Sequence, residues 1–344
     1  MTRPRFRFLG AMFGAALFAA GAGGVVAQTK TLNVLSYGGP WNEVQEKHVI
    51  ERFKKATGYD VTLSSQPVNA VPLIMGSRDN PVYDLVWMSA DDHAALSVAG
   101  ALAPLNYKNI PNSTKLYDGT QMPDGVITSF AAVAIVYNKD KVKPAPTSWM
   151  DLWDPKFKGH VMIGDLPHSY GLSFLVMTAR LAGGGENNIE PGFQKLKELK
   201  PSIAAYYKNS GVANQLFQEG TAWIAPWYHG RAKYGADRGI PLEYVIPKEG
   251  APPYLSVLGV VKGSKNQAIA EKFIDLCLDE EPQVGWAKII GAGPANRTVK
   301  LDPDVAKTVP YGQEQISKLV MLDWKTILKH QNAWLERWRR EISQ

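Results

Sequence analysis

Alternating strand and helix patterns constrain the fold of this chain more than any other feature. Residues 31–37 predict a short apolar strand and residues 59–65 a second strand. Residues 42–56 between them predict a helix, in which Asn42 and Gln45 resemble a capping box. The buried apolar run at 84–89 and the helical pattern at 91–99 repeat this order. Such β-α-β units predict an α/β fold with a parallel sheet, in which the loops at the carboxyl ends of the strands build the functional site.

Two later segments predict strands that pass between two lobes. Residues 126–138 form a long run rich in β-branched and small apolar residues, and residues 253–263 form a second one. The segment 146–159 between them is expected at the surface. A chain of 344 residues with 45% hydrophobic residues can build more than one core. We therefore predict two α/β lobes joined by crossing strands, which close on each other like a hinged clamp.

The first 27 residues have the layout of a signal peptide. Three arginines precede an uncharged stretch of apolar and small residues, and Val25 and Ala27 supply the small side chains that signal peptidase requires. We predict cleavage before Gln28 and export to the periplasm; a retained membrane anchor is the alternative. Glycines interrupt the apolar stretch, which disfavours a stable membrane span.

Charge and cysteine content exclude several classes of protein. Removal of the predicted signal peptide lowers the net charge from +6 to +3, and no lysine- or arginine-rich run follows it. We therefore expect no nucleic-acid partner. A single cysteine, Cys277, excludes an intrachain disulfide, and its place in an apolar helical pattern predicts that it lies in a core.

Seven segments carry recognisable motifs, of which YNKD, SWxDLWDPKxKG and a later PKEG are the most specific. The segments are 35–61 (LSYGGPWNEVQEKHVIERFKKATGYDV), 83–92 (YDLVWMSADD), 133–142 (VAIVYNKDKV), 146–165 (PTSWMDLWDPKFKGHVMIGD), 221–232 (TAWIAPWYHGRA), 245–266 (VIPKEGAPPYLSVLGVVKGSKN) and 291–296 (GAGPAN). In this order they resemble the polyamine-binding (spermidine/putrescine) periplasmic proteins of ABC importers.

The resemblance implies the two-lobed periplasmic binding protein fold of type II. It implies a small-molecule ligand held between the lobes and delivery of that ligand to an ABC permease in the inner membrane. We expect a monomer with no catalytic residue, no cofactor and no metal. The predicted units are a signal peptide at 1–27, lobe 1 at 28–132 and 260–308, lobe 2 at 133–259, and C-terminal helices at 309–344 that pack on the lobes.

The candidate ligand residues follow predicted strands, where the free backbone N–H groups of helix N-termini are available donors. In the loop after the first strand, the two aromatic side chains predict a wall of the site, and the glycines allow close approach of a ligand to the backbone. The alternative is that the glycines only make the turn and the tryptophan packs at the start of the helix. These four residues are Tyr37, Gly38, Gly39 and Trp41.

Ser89 and Asp91 occupy the next strand-to-helix loop, where the resembling family also contacts ligand. Asp91 is alternatively the N-cap of its helix. The resemblance implies an acid near Asp165 that meets an ammonium group, and a carboxylate there offers a charge-assisted hydrogen bond. Asp165 alternatively caps a turn. Ser169 and Tyr170 lie just beyond it, where Ser169 alternatively starts a helix.

The segment 227–232 (WYHGRA) marks the end of a predicted strand and the start of a helix near His229. The resemblance implies that Trp227 stacks on ligand, and His229 is a further candidate ligand residue. Arg231 stands where a small residue would suit a polycation, and its guanidinium can hold a carboxylate through two hydrogen bonds. The alternative places Arg231 on the solvent side of its helix.

Tyr254 and Ser256 lie on the second predicted crossing strand. The resembling polyamine binders have an aromatic residue and then an aspartate there, and a tyrosine where this chain has Ala292. The groups that would hold a long diamine are therefore missing. These differences favour a smaller amine-bearing or zwitterionic solute, polyamine-like or opine-like, over spermidine or putrescine.

Three alternatives use the same chain differently. A ferric-ion or carboxylate binder shares the fold, but a ferric site needs phenolate pairs, and the family's tandem tyrosines fall on Trp227 and Tyr228. An exported enzyme is disfavoured because GxSxG, HExxH, CxxC, GxxxxGK[ST] and GxGxxG motifs are absent from the sequence. A binding protein that serves a chemoreceptor would use the same clamp.

Overall fold

A computed structural model describes residues 30–66, 70–166 and 168–343. The predicted signal peptide and its cleavage site before Gln28 lie outside the described residues. The strands are β1 (Thr31–Ser36), β2 (Asp60–Ser65), β3 (Leu85–Ser89), β4 (Gln121–Met122), β5 (Gly125–Asn138), β6 (Val161–Gly164), β7 (Ile203–Tyr207), β8 (Ile224–Tyr228), β9 (Leu242–Val245), β10 (Pro253–Val260) and β11 (Gly293–Pro294).

The helices alternate with these strands over most of the chain. A π-helical stretch, Glu46–Ile50, joins the first two helices into one rod. The α-helices are α1 (Pro40–Gln45), α2 (Glu51–Thr57), α3 (Ala70–Gly76), α4 (Ala90–Val98), α5 (Ser169–Leu181), α6 (Glu190–Leu199), α7 (Ser210–Gln218), α8 (His229–Ala236), α9 (Gln267–Cys277), α10 (Glu280–Ile290), α11 (Pro303–Ala306), α12 (Gly312–Ile316) and α13 (Trp324–Glu341).

The sheet runs through both lobes in the order β2-β1-β3-β10-β5-β8-β6-β7. The outer strands of each lobe, such as β1 with β3 and β6 with β7, pair in parallel, as the β-α-β pattern predicts. The strands at the centre of the sheet pair in the opposite sense. There β10 is antiparallel to both β3 and β5, and β5 is antiparallel to β8, because these strands carry the chain between the lobes.

β5 is the longest strand, and every residue of it is buried. Its first half pairs with β10 in lobe 1, and its second half pairs with β8 and β9 in lobe 2. A β-bulge interrupts its pairing with β10 between Ser256 and Val257, at the passage between the lobes. The structure thus has the two-lobed α/β architecture predicted from the sequence, with β5 and β10 as crossing strands.

The core of lobe 1 contains a cluster of aromatic rings. Trp41 stacks on Trp286 with ring centroids 4.9 Å apart, and Trp87 meets both rings edge-on. Gln45 is buried beside them and accepts a hydrogen bond from Trp87 Nε1 at 2.9 Å. The prediction that Asn42 caps the first helix is wrong, because α1 begins at Pro40 after Gly39. Cys277 is fully buried in this core, as predicted.

The core of lobe 2 includes residues that the sequence places elsewhere. The segment 146–159 was expected at the surface, yet Trp149 and Phe157 are buried within short 3-10 helices. α13 returns the chain to this lobe and inserts one apolar face, with Ile327 and Trp338 fully buried. Among the described residues no helix is long and apolar enough to cross a membrane. The lobe boundaries stay predictions.

Candidate ligand cleft

A cleft of about 650 Å³ opens between the two lobes. This volume lies within the range of roughly 300–1,000 Å³ that is common for small-molecule sites. Five candidate residues from three separate parts of the chain line it. The lining residues are Tyr37, Gly38, Pro40, Trp41, Gly211, Asn214, Tyr228, Gly230, Arg231, Lys233, Tyr234, Asp237, Tyr254, Ile289 and Ile290.

The loop between β1 and α1 supplies the lobe 1 wall of the cleft. Gly38 has a φ of 83°, and a Cβ atom there would lie 2.6 Å from the Ser65 hydroxyl oxygen. Only glycine therefore fits this turn, which presents Tyr37 and Trp41 to the cleft. Gly39 has a φ of 52° and caps α1, but it does not line the cleft. The predicted aromatic wall and the alternative turn role are both present in this loop.

Three tyrosine side chains line the cleft, Tyr37 from lobe 1, Tyr228 from lobe 2 and Tyr254 from β10. The Tyr254 ring centroid lies 5.3 Å from that of Tyr228 and 5.8 Å from that of Tyr170, which packs behind the lining. The buried Tyr37 hydroxyl faces the Ser256 side chain. The hydroxyls of Tyr170, Tyr228 and Tyr254 form no hydrogen bond to another residue that the structure describes. Burial raises the pKa of Tyr37 and Tyr254 well above the usual range, so these phenols are neutral near pH 7.

Asp91 places a carboxylate at the lobe 1 side of the phenols. The N-cap of α4 is Ser89, which is buried, and Asp91 is the second residue of the helix, so its alternative role as N-cap is wrong. Burial raises the pKa of Asp91, while the nearby Ser89 hydroxyl acts in the opposite direction. The neighbouring Asp92, which accepts the Ala70 N–H at 3.2 Å, has a pKa raised to about 7 by burial and by Asp91.

Arg231 places a cation at the lobe 2 side. Its side chain is exposed on α8 and also lines the cleft. The cleft position and the solvent-exposed position that the sequence left open are therefore both correct. Within the described ranges Arg231 forms no ion pair or hydrogen bond, whereas Lys233 on the same helix pairs with Asp237. Tyr170 lies within electrostatic reach of both unpaired charges, since Arg231 lowers its pKa and Asp91 raises it, each less than burial does.

The structure places Trp227 away from the cleft. Trp227 is fully buried in lobe 2, where it stacks on Phe217 at 5.7 Å between ring centroids. Tyr228, the next residue of β8, lines the cleft instead. Successive residues of a strand point to opposite faces, so only one of these two aromatic rings can reach a ligand. The expected position of Trp227 at the ligand is therefore wrong, and the aromatic residue of β8 at the cleft is Tyr228.

His229 is also absent from the cleft wall, and it connects elements instead. Its Nδ1 atom accepts the Ala132 N–H at 3.0 Å, and its Nε2–H donates to the Gly291 carbonyl at 2.9 Å. Ala132 belongs to β5, and Gly291 ends α10 in lobe 1. The side chain is fully buried, and burial lowers its pKa to about 4. His229 thus ties lobe 2 to lobe 1 at the crossing.

The remaining candidate residues take different places. Asp165 accepts the Trp338 Nε1–H at 2.9 Å and the Leu166 N–H at 3.0 Å, so its carboxylate already has partners in lobe 2. Ser169 begins α5, which agrees with its alternative role. Ser256 is buried on β10 near the Tyr37 hydroxyl.

Sequence reasoning missed the position of Tyr228 in the cleft wall and the whole of α10, whose end supplies Ile289 and Ile290. The alternation of β8 was the available signal for Tyr228, and the left-handed Gly291 was the signal for the end of α10. In the described part of the chain no group of three His, Cys, Asp or Glu side chains is placed to hold a metal ion.

Two α/β lobes around a polar, aromatic-walled cleft define a clamp that binds small molecules. The chain belongs to the family of bacterial extracellular solute-binding proteins, whose model matches residues 48–311. The spermidine/putrescine-binding periplasmic protein of Escherichia coli K12 is 28% identical over 281 residues, which cover 77% of this chain and 79% of that protein. A gamma-aminobutyric acid-binding protein of Pseudomonas aeruginosa PAO1 is 25% identical, and the match covers 95% of this chain and 96% of that protein.

A solved structure confirms the fold. The crystal structure of an ABC transporter protein from Clostridium perfringens ATCC 13124 superposes with a TM-score of 0.81 and covers 91% of this chain and 100% of that one. Its sequence is 24% identical, so this likeness concerns the architecture.

Proposed function

We propose that this protein captures a zwitterionic organic solute in the periplasm and delivers it to the permease of an ABC importer. The observation that carries the proposal is a pair of opposite charges that both act electrostatically on Tyr170: Asp91 from lobe 1 and Arg231 from lobe 2. Neither forms an ion pair within the described residues, and Arg231 lines the cleft. Relatives named for binding spermidine, putrescine and gamma-aminobutyric acid support a ligand with at least one amine.

The charges favour a zwitterion over a diamine of the same length. An ammonium group beside Asp91 and a carboxylate on the Arg231 guanidinium give two charge-assisted contacts, and Arg231 can bind its partner through two hydrogen bonds. A second ammonium would meet Arg231 instead, and juxtaposed like charges cost several kcal/mol. Asp165 does not offset this repulsion, because its carboxylate already accepts a hydrogen bond from Trp338.

Three probes of similar length and different charge test this proposal: 4-aminobutyrate, putrescine and succinate. We expect the largest rise in melting temperature with 4-aminobutyrate, because a ligand that binds only the folded state stabilises it by mass action. Arg231→Ala should no longer prefer 4-aminobutyrate to putrescine. Asp91→Asn should no longer prefer 4-aminobutyrate to succinate. Arg238→Ala, which removes an exposed cation just beyond the same helix and outside the cleft lining, is the matched control. A wild-type protein that prefers putrescine would contradict the proposal.

The proposal includes the location and state of the mature protein. A chain cleaved before Gln28 would work as a periplasmic monomer, in line with the periplasmic location named for the relatives. The relatives that the chain matches are solute-binding proteins, which supports binding and release without chemical change.

A further inference from the structure

Asn214 lies in the middle of α7 and lines the cleft from lobe 2. It is not among the ligand residues expected from the sequence. Its Oδ1 atom is buried without a hydrogen-bond partner, and the side chain forms no hydrogen bond to any residue that the structure describes. An amide that is left unpaired in a protein costs free energy, which a ligand group can recover. The Asn214 amide is therefore available to a ligand.

Asn214 packs against the face of α8 that carries Arg231. A Cβ atom on Gly235 would lie 3.1 Å from Asn214 Oδ1, so the absence of a side chain at Gly235 leaves room for the amide. Gly235 follows Arg231 by one helical turn, and residues one turn apart lie on the same face of a helix. Arg231 and Asn214 both line the cleft. The guanidinium and the amide are therefore neighbours in one wall of the cleft.

The surroundings of Asn214 orient its amide. Its buried Oδ1 atom lies on the side of α8 and Gly235. Among the described residues, lobe 2 has one other buried side-chain atom without a partner, Trp227 Nε1, which only donates. Trp227 stacks on Phe217, one turn along α7 from Asn214. An acceptor directed into the lobe agrees with an unpaired donor there, and this orientation leaves the Nδ2–H group for the cleft.

The wall of the cleft around Asn214 favours an anion. Gly211 in the first turn of α7 also lines the cleft, so the positive end of this helix dipole lies at the cleft. On α8, Lys233 and Asp237 pair with each other at 2.6 Å, which leaves Arg231 as the unpaired charge of this wall among the described residues. A ligand carboxylate here would therefore meet one unpaired cation and one unpaired amide.

We infer that Asn214 is a specificity-determining residue, whose Nδ2–H group donates a hydrogen bond to the ligand carboxylate beside the Arg231 guanidinium. This inference rests on the proposed function, from which it takes the carboxylate. A carboxylate can bond to both groups, because its two oxygens only accept. An ammonium group only donates, so it cannot bond to the Asn214 N–H and is repelled by Arg231. Asn214 thus adds to the selection of a carboxylate at lobe 2.

Asn214→Leu tests this role, because leucine has a similar size and no donor. Calorimetric titration of the mature protein should show that this variant binds 4-aminobutyrate at least about tenfold more weakly than the wild type, the usual effect of losing a hydrogen bond to a charged group. The affinity for putrescine should not fall. The melting temperature of the ligand-free variant should not fall either, because the substitution breaks no hydrogen bond within the described residues.

Asn214→Asp replaces the donor with a carboxylate that would pair with Arg231. This variant should bind 4-aminobutyrate more weakly and putrescine more tightly than the wild type does, so the preference between the two compounds should reverse. Gln218→Glu is the matched control, because it adds the same charge to an exposed residue at the end of α7 that does not line the cleft. The control should keep the preference of the wild type.

An unchanged affinity of Asn214→Leu for 4-aminobutyrate, or equal preferences in Asn214→Asp and Gln218→Glu, overturns the inference. An equal loss of affinity for 4-aminobutyrate and putrescine in Asn214→Leu would indicate a purely structural role and also overturns it. The proposed function survives each of these results if the wild-type protein still prefers 4-aminobutyrate to putrescine and succinate. A wild-type protein that binds no zwitterion would overturn both.

Discussion

Adjacent aromatic residues at the end of β8 have opposite roles. Trp227 fills the core of lobe 2 between Phe217 and Tyr207, whereas Tyr228 faces the cleft and packs on Tyr254. The Tyr228 hydroxyl is free of hydrogen bonds within the described residues, so it adds little to the stability of the fold. Stability and ligand affinity are therefore separable at neighbouring positions.

Trp227→Ala should lower the free energy of unfolding by about 3–5 kcal/mol, the usual cost of truncating a buried tryptophan. Tyr228→Phe removes only the free hydroxyl and should change that free energy by less than about 0.5 kcal/mol. Urea unfolding followed by circular dichroism measures both values. If the free energy of unfolding of Trp227→Ala lay within about 1 kcal/mol of the wild-type value, the core position of Trp227 would be contradicted.

The residues at the cleft show which site features a sequence can predict. The glycine turn that presents Tyr37 and Trp41 follows from local steric limits, and local rules are readable in sequence. The choice between Trp227 and Tyr228 depends on which face of β8 meets the core, and the sequence does not contain that information directly. The occupation of Asp165 by Trp338 is a contact between residues far apart in the chain, so no local pattern reveals it.

At the scale of elements, most strands and helices follow their sequence patterns because their apolar residues recur with the correct period. The exceptions lack such a period. The 3-10 helices Trp149–Trp153 and Pro155–Phe157 are too short to show one, and their buried rings were therefore expected at the surface. The antiparallel direction of β5 and β10 follows from the path of the chain between lobes, which composition does not encode.

α8 is fixed to the crossing region through its first two residues. His229 bonds to β5 and to the end of α10, and a Cβ atom on Gly230 would lie 2.8 Å from the Ile290 carbonyl oxygen. The close approach at Gly230 and the two bonds of His229 hold the start of α8 against lobe 1. Arg231 lies two residues after His229, so the bonds of His229 fix the start of the helix that carries this cation.

The bonds of His229 predict a pH dependence of stability. Because Nδ1 accepts the Ala132 N–H, a proton on Nδ1 would face another donor, and the folded pKa is lowered to about 4 from an unfolded value of about 6.5. Between these values the unfolded chain binds a proton that the folded protein does not. The free energy of unfolding should therefore fall as the pH falls from about 6.5 towards 4, by up to about 1.4 kcal/mol per pH unit.

His229→Gln keeps one acceptor and one donor but does not titrate, so its melting temperature should fall less steeply than that of the wild type between pH 7 and pH 5. His229→Leu should be destabilised at both pH values, because it leaves the Ala132 N–H and the Gly291 carbonyl without their partner. His330→Gln in α13 is the control. Parallel pH profiles for wild type and His229→Gln would exclude this role for the imidazole.

At the scale of the whole molecule, the lobes share more than the two crossing strands. α13 places Ile327 and Trp338 in the lobe 2 core and also packs along α4 of lobe 1. The indole of Trp338 holds Asp165 at the end of β6, and the Tyr206 hydroxyl bonds to the Ile342 carbonyl just beyond the helix. α13 therefore packs on both lobes and links their cores.

This sharing predicts that the lobes unfold together. In urea, tryptophan fluorescence and far-ultraviolet circular dichroism should give coincident transitions for the full mature chain, since neither lobe can open without exposing a shared element. A chain that ends at Asp323 lacks α13 and exposes the surface that Ile327 and Trp338 cover. This shortened chain should unfold at a lower urea concentration, and its fluorescence and circular dichroism transitions should no longer coincide. Separated transitions in the full chain, or an unchanged midpoint in the shortened one, would show that the lobes are energetically independent.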